Sequence, residues 1–164
     1  MSEAVVGAII GFVGVLVGAG ITQGAAFWQR RARHRSYWQA LRAEVEICRE
    51  HGDAYLADSV NSPAYRLPMK AYENALPGLL QDGAISHDEA KAVLAYYTQV
   101  DQMNRVLEQA HAAWVSGRED DLKRESDRLA LKARHVSAGD KYYRRLQSIF
   151  DHHATQRLPL SPNE

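Results

Sequence analysis

Residues 4–28 read AVVGAIIGFVGVLVGAGITQGAAFW, and this run of 25 residues contains no charged side chain. As an α-helix it would extend about 37 Å, which exceeds the hydrocarbon thickness of about 30 Å in a typical bilayer. A helix also satisfies its backbone polar groups internally, as a lipid environment requires. We therefore predict that residues 1–29 are a single transmembrane anchor.

Two other interpretations of this run fit less well. A cleaved signal peptide has a basic flank ahead of an apolar stretch of about 7–15 residues. Here the residues ahead are Met-Ser-Glu, the apolar stretch is longer, and the basic residues come after it. A buried core helix would show an amphipathic pattern, which this run lacks.

The charges that follow the apolar run predict its orientation. Arg30, Arg31, Arg33 and Arg35 come directly after Trp28, an aromatic residue typical of the membrane interface. A basic flank stays in the cytoplasm, and anionic lipids of that leaflet attract it. We expect a single-pass inner-membrane protein with its N-terminus outside and its C-terminal domain in the cytoplasm.

Glycine recurs along one side of the predicted anchor. Gly7, Gly11, Gly14 and Gly18 are spaced 4, 3 and 4 residues apart. On a helix, glycines so spaced form a groove in which a second helix can pack closely. The pattern resembles a glycine zipper, a motif of self-associating membrane helices, and the resemblance implies a homo-oligomer. The alternative is that glycine is simply common in membrane helices.

The rest of the chain predicts an all-α cytoplasmic domain over residues 30–154 and a flexible tail over residues 155–164. The first helix should continue the anchor without a break and end near Val60, before Pro63. Its apolar positions at helical spacing, which we expect in the core, are Trp38, Leu41, Val45, Cys48, Tyr55 and Leu56. Two short helices are expected next, over residues 68–75 and 77–81, because each would begin with a proline.

Two further long helices complete the predicted antiparallel bundle of three long helices plus short ones. Ser86 and Glu89 have the spacing of a capping box at a helix start, and Gly117 is typical of a helix end. The apolar face of this helix contains Ala90, Val93, Leu94, Tyr97, Val100, Leu107 and Trp114. The last helix should run from near Arg118 past Phe150, because mostly apolar residues recur there at alternating steps of three and four, a 3-4 rhythm. That rhythm comprises Leu122, Ser126, Leu129, Ala133, Val136, Tyr143 and Phe150.

Charge and cysteine content narrow the classes of function. The chain has 20 basic and 20 acidic residues, of which 16 and 19 lie beyond residue 35. A domain that is slightly acidic lacks the basic face that nucleic acid requires, so we expect no nucleic-acid partner. The single cysteine, Cys48, excludes an intrachain disulfide and is expected to be a core residue.

Candidate chemistry is sparse. Glu108 and His111 have the Glu-x-x-His spacing of di-iron bundles, but those sites need a second copy of the motif, which is missing here. His152 and His153 are adjacent and would point to different sides of a helix, so we expect a solvated helix end there and not a metal pair. We predict no catalytic residue, no metal and no cofactor, and interpret the chain as a non-enzyme.

Three polar or flexible positions lie near the helix seams. Asn104, Asp140 and Gly139 could mark a buried polar contact or a close helix crossing, and a functional pocket is the weaker interpretation. Gly139 would lie inside the last helix at a cost of about 1 kcal/mol.

The function that these patterns favour is a membrane-anchored scaffold or interaction protein of a bacterium. Its partners would be the lipid bilayer, further copies of itself and a protein that docks on the helical domain. The alternative is a pore-forming or membrane-disrupting effector, of toxin or phage-defence type, controlled by the cytoplasmic domain. A third interpretation is a helical enzyme subunit whose active site is completed by another chain.

Overall fold

The computed structural model describes the backbone of residues 3–57 and 65–155, and the side chains of residues 21–57 and 65–155. Within these ranges the chain forms five helices and no strand, which confirms the all-α class. In order, α1 to α5 span Glu3–Ala57, Lys70–Gln81, His87–Val115, Glu119–Ala133 and Lys141–Thr155.

Helix α1 is continuous from the apolar run into the core of the domain, as predicted. The chain divides into two compact units, Met1–Ser36 and Tyr37–Glu164, and α1 contributes to both. The predicted end of this helix near Val60 lies outside the described residues. Across the portion that is described, no helix combines the length and the apolar character needed to cross a membrane. Residues 4–20, most of the predicted span, have no described side chains, and the anchor stays a prediction.

The second unit is a helical bundle around the part of α1 that begins at Tyr37. Helix α3 runs parallel to α1. At one end Trp38 and Glu89 both contact His153, and further along both helices Tyr97 bonds Glu44. We call the end of the bundle that contains Trp38 the entry end.

The other helices run antiparallel to their neighbours. In α5, Gln147 contacts Glu46 and Asp151 contacts Arg42, so α5 returns toward the entry end. Helix α4 follows α3 in the opposite direction, since Arg128 bonds Gln109. Helix α2 also opposes α1, because its first turn reaches the middle of α1 and its later residues reach Tyr37.

The core confirms most of the predicted apolar positions. The buried ones are Trp38, Leu41, Val45, Cys48, Ala90, Val93, Tyr97, Val100, Leu107, Leu129, Ala133, Val136 and Phe150. Leu56, Leu94 and Trp114 are exposed, so those three predictions are wrong. The buried face of α3 follows the 3.6-residue period and reaches Ala110 and Ala113 near its end, which leaves Trp114 outside.

The two short helices predicted around the prolines are one helix, α2, which contains Pro77. Proline has no amide hydrogen, so the carbonyl of Glu73 receives no helical bond from it. Glu73 and Pro77 are both exposed, and water can therefore replace the missing partner. Gly83, at φ +62, follows the helix and ends it.

The predicted long last helix is two helices, α4 and α5. The chain turns between Arg134 and Asp140, and Asp140 caps α5 by accepting a bond of 2.7 Å from the amide of Tyr142. Val136 is fully buried inside this turn, so the 3-4 rhythm of apolar residues continues although the helix does not. The bundle therefore contains α1, α3, α4 and α5 as main helices, with α2 packed across them.

Candidate functional site

A buried carboxylate lies in the middle of the bundle. Glu44 is 6% exposed and accepts hydrogen bonds from the amides of Ala71 at 2.7 Å and Tyr72 at 3.0 Å. These amides belong to the first turn of α2, whose own N-cap residue, Met69, makes no side-chain cap bond. Glu44 therefore caps α2 from a neighbouring helix and places a negative charge at the positive end of the α2 dipole.

Tyrosines complete the surroundings of this carboxylate. The hydroxyl of Tyr97 donates to Glu44 at 2.8 Å, and the Tyr97 ring stacks on Tyr72 at 4.3 Å. Burial, and then the charge of Glu44, raise the pKa of Tyr97 far above its ordinary value. The phenol consequently stays protonated and serves as a permanent donor.

Cys48 adjoins the same polar centre. Its thiol donates to the carbonyl of Pro68 at 3.5 Å. Burial, with a smaller contribution from Glu44, raises the pKa of the thiol to about 12. A buried thiol that stays protonated is a poor nucleophile, and the core role predicted for Cys48 is confirmed.

A second polar network joins α1 to α5. Glu46 accepts from Tyr143 at 2.9 Å, from Gln147 at 2.6 Å and from Arg49 at 2.7 Å, and Arg49 also contacts Asp53 at 3.0 Å. Burial raises the pKa of Glu46, but these donors together outweigh it and leave the pKa below its ordinary value. Burial and the carboxylate raise the pKa of Tyr143 to about 12. The network holds a carboxylate in its charged form between two helices.

A third cluster closes the entry end. The His153 ring stacks on Trp38 at 4.2 Å, and its Nε2 lies 2.8 Å from Glu89 Oε1. Glu89 also accepts from the amide of Ser86 at 2.8 Å, which confirms the predicted capping box. Burial raises the pKa of Glu89, whereas Ser86 and His153 lower it, and the net shift is downward. His153 is therefore half-buried and structural, contrary to the solvated helix end predicted for it.

The predicted seam residues divide by role. Asn104 is half-buried and makes two bonds with the backbone of Leu67, at 2.7 and 3.0 Å, so it forms a polar contact near a helix seam. Gly139 is not inside a helix, and a side chain there would meet no atom within 4 Å. Space is tight instead at Gly52 and Gly78, where an added Cβ would lie 2.7 Å from Val136 Cγ2 and 2.6 Å from Tyr37 Cε2.

The residues with metal-binding spacing do not assemble. Glu108 is exposed, and the buried Nδ1 of His111 has no hydrogen-bond partner among the described residues. In the part of the chain that the structure describes, no three His, Cys, Asp or Glu side chains lie close enough to hold a metal ion.

The residues predicted to lie at the membrane interface belong to the first unit. Trp28 and the arginines Arg30, Arg31, Arg33 and Arg35 are all exposed on α1. The predicted packing glycines are in a part of α1 whose side chains are not described. They are Gly7, Gly11, Gly14 and Gly18.

Sequence reasoning missed Glu44 as a structural centre. It lies three residues after Leu41 and directly before Val45, on the predicted apolar face of α1. A carboxylate on an apolar face is a signal of a buried, hydrogen-bonded charge. His153 had no comparable signal, because its partner Glu89 is 64 positions away in the sequence.

Comparison with protein-family models, with curated proteins and with solved structures found no match to this chain.

Proposed function

We propose that this chain is a membrane-anchored helical scaffold or interaction protein of a bacterial cell. Residues 4–28 cross the inner membrane once, with the N-terminus outside and the bundle in the cytoplasm. The anchors associate through Gly7, Gly11, Gly14 and Gly18, and the bundle docks a partner protein or pairs with its copies.

The continuity of α1 is the observation that supports this proposal. One helix contains the uncharged run, the exposed Trp28 and arginines, and the core residues Trp38 and Leu41. Anchors that pair would therefore bring the bundles attached to them together. A scaffold whose assembly in the membrane controls docking in the cytoplasm needs such a connection.

The test is association of the full chain in detergent or in bilayers. Gly11→Leu with Gly14→Leu should weaken the oligomer at least about tenfold, because the bulky side chains fill the groove. Ala8→Leu with Ala19→Leu is the matched control, since those positions lie about 90° and about 110° around the helix from the centre of the glycine stripe. Cross-linking that finds the same species in both variants and in the unaltered chain would refute the zipper.

A pore-forming effector is the second candidate, and Thr22 and Gln23 favour it. Both are exposed polar residues inside the otherwise apolar run. Polar residues in a membrane span usually face a protein interior or a water-filled path. Depolarisation of expressing cells, abolished by Gln23→Leu, would support the effector, whereas an intact membrane potential at the same expression supports the scaffold.

A further inference from the structure

The stretch of α1 between residues 27 and 35 presents unusual surface chemistry. Phe27 and Trp28 are 59% and 56% exposed, and their rings meet edge to face at 6.3 Å. Large aromatic rings gain free energy by leaving water, and the boundary between acyl chains and headgroups accommodates them well. This aromatic pair is followed at once by a concentration of positive charge.

Four exposed arginines, Arg30, Arg31, Arg33 and Arg35, follow the aromatic pair. They occupy about 7.5 Å of helix rise, comparable to the roughly 5–7 Å of headgroup region on each side of a bilayer. At about 100° per residue, they spread over roughly 200° of the helix circumference. A partner that docks on one side of a helix would need a narrower stripe, whereas a layer of lipids reaches the helix from many directions.

Acidic residues are distant from these arginines in the sequence. Between Glu3 and Glu44 the chain contains no acidic residue, so α1 offers these arginines no carboxylate at the i±3 or i±4 positions. Phosphate oxygens suit the guanidinium group well, because it can donate two parallel hydrogen bonds to them.

We propose that residues 27–35 form a binding site for the anionic phospholipids of the surrounding leaflet, and this rests on the proposed function. The rings of Phe27 and Trp28 occupy the acyl boundary, and the arginines bind the phosphates of negatively charged headgroups directly above it. The site selects anionic over zwitterionic lipid, and each arginine contributes a share of the preference.

The experiment measures the lipids next to Trp28 in vesicles that contain the full chain. Trp114→Phe removes the other exposed tryptophan, and Trp38 is buried in the bundle. Quenching of the remaining fluorescence by brominated phosphatidylglycerol is compared with quenching by brominated phosphatidylcholine. We expect the anionic lipid to bind with a preference of about fivefold or more.

Two double variants test whether the arginines of α1 produce the preference for anionic lipid. Arg30→Gln with Arg31→Gln should reduce it to about twofold, because Arg33 and Arg35 keep their shares. Arg144→Gln with Arg145→Gln removes two adjacent exposed arginines from α5 and should leave it unchanged. An equal loss in both variants would attribute the preference to net charge and overturn the site.

The remaining outcomes separate this inference from the proposed function. Equal quenching by both lipids overturns the headgroup site but leaves Trp28 in the bilayer. Quenching by neither lipid refutes the membrane anchor itself. Equal lipid quenching together with tight binding of a labelled oligonucleotide, abolished by Arg30→Gln with Arg31→Gln, would reassign the arginines to nucleic acid.

Discussion

Glu44 shows how a single residue can tie two helices together from inside the core. A carboxylate removed from water needs several donors, and it receives them from two amides of α2 and from Tyr97. The same bonds give α2 the cap that its own sequence lacks. Glu44 therefore holds the first turn of α2, while the buried residues Ala75, Leu76 and Leu79 pack the rest of α2 into the core.

Glu44→Ala tests this role. The change leaves the half-buried amides of Ala71 and Tyr72 and the buried hydroxyl of Tyr97 without their acceptor. Each unpaired buried donor costs about 1–3 kcal/mol. We expect the free energy of unfolding to fall by about 3 kcal/mol or more in urea titrations of the full chain in detergent. Glu50→Ala, at an exposed position of the same helix, should change it by less than about 0.5 kcal/mol. Equal effects of the two changes would refute the role of Glu44.

The carboxylates of Glu46 and Glu89 make stability depend on acid pH. The folded state lowers the pKa of both groups below the ordinary value of 4.5. Their contribution is therefore present above that value and is lost as pH falls through their folded pKa values. We expect urea midpoints to decline between about pH 5 and about pH 3.

Glu46→Gln should make that decline shallower, because the titrating group is gone while Tyr143 and Gln147 remain. Glu73→Gln, at an exposed carboxylate on α2, is the control and should give a curve parallel to that of the unaltered chain. If Glu46→Gln also gives a parallel curve, the network between α1 and α5 does not link folding to protonation.

At the scale of helices, Gly52 controls how closely α1 approaches the turn between α4 and α5. A Cβ there would lie 2.7 Å from Val136 Cγ2 and 3.3 Å from the carbonyl oxygen of Ala133. The sequence presents Gly52 only as an interruption of an apolar stripe. The structure instead gives it a packing role.

Gly52→Ala should therefore destabilise the bundle by about 1–3 kcal/mol, although alanine favours a helix over glycine by about 1 kcal/mol. Gly139→Ala is the control, since nothing lies within 4 Å of a Cβ there, and it should be close to neutral. Adding Val136→Ala to Gly52→Ala should cost less than it does alone, because the clash is relieved. Additive unfolding energies would contradict the predicted contact.

Local signals predicted helix ends where side chains or glycines terminate helices directly. The box of Ser86 and Glu89 and the positive φ of Gly117 bound α3 as expected. The break between α4 and α5 was missed because buried Val136 keeps the apolar rhythm through the turn. Pro77 caused the opposite error. It predicted a helix boundary, but α2 continues through it and keeps it on the exposed side.

The buried polar contacts were harder to predict than the helices. Asn104 was recognisable as a polar residue near a seam, but its partner Leu67 comes from a different part of the chain. The stack of His153 on Trp38 likewise joins residues far apart in sequence. Such pairings follow from tertiary packing, which periodicity in one helix does not encode.

At the scale of the whole molecule, helix α1 contains the uncharged run and also supplies core residues to the bundle. If residues 4–28 cross a bilayer, the arginines and the bundle that follow them lie on the same side of the membrane. Association through the anchor glycines and lipid binding by the arginines both require that insertion.

Thiol labelling in intact bacterial cells tests the insertion most directly, with a maleimide that cannot cross the inner membrane. The only native cysteine, Cys48, is buried and gives little background. We expect Ser2→Cys to be labelled in intact cells, and Ala112→Cys, at an exposed position of α3, to be labelled only after lysis. Labelling of Ala112→Cys in intact cells, or protection of Ser2→Cys until lysis, would contradict a single span with the bundle in the cytoplasm.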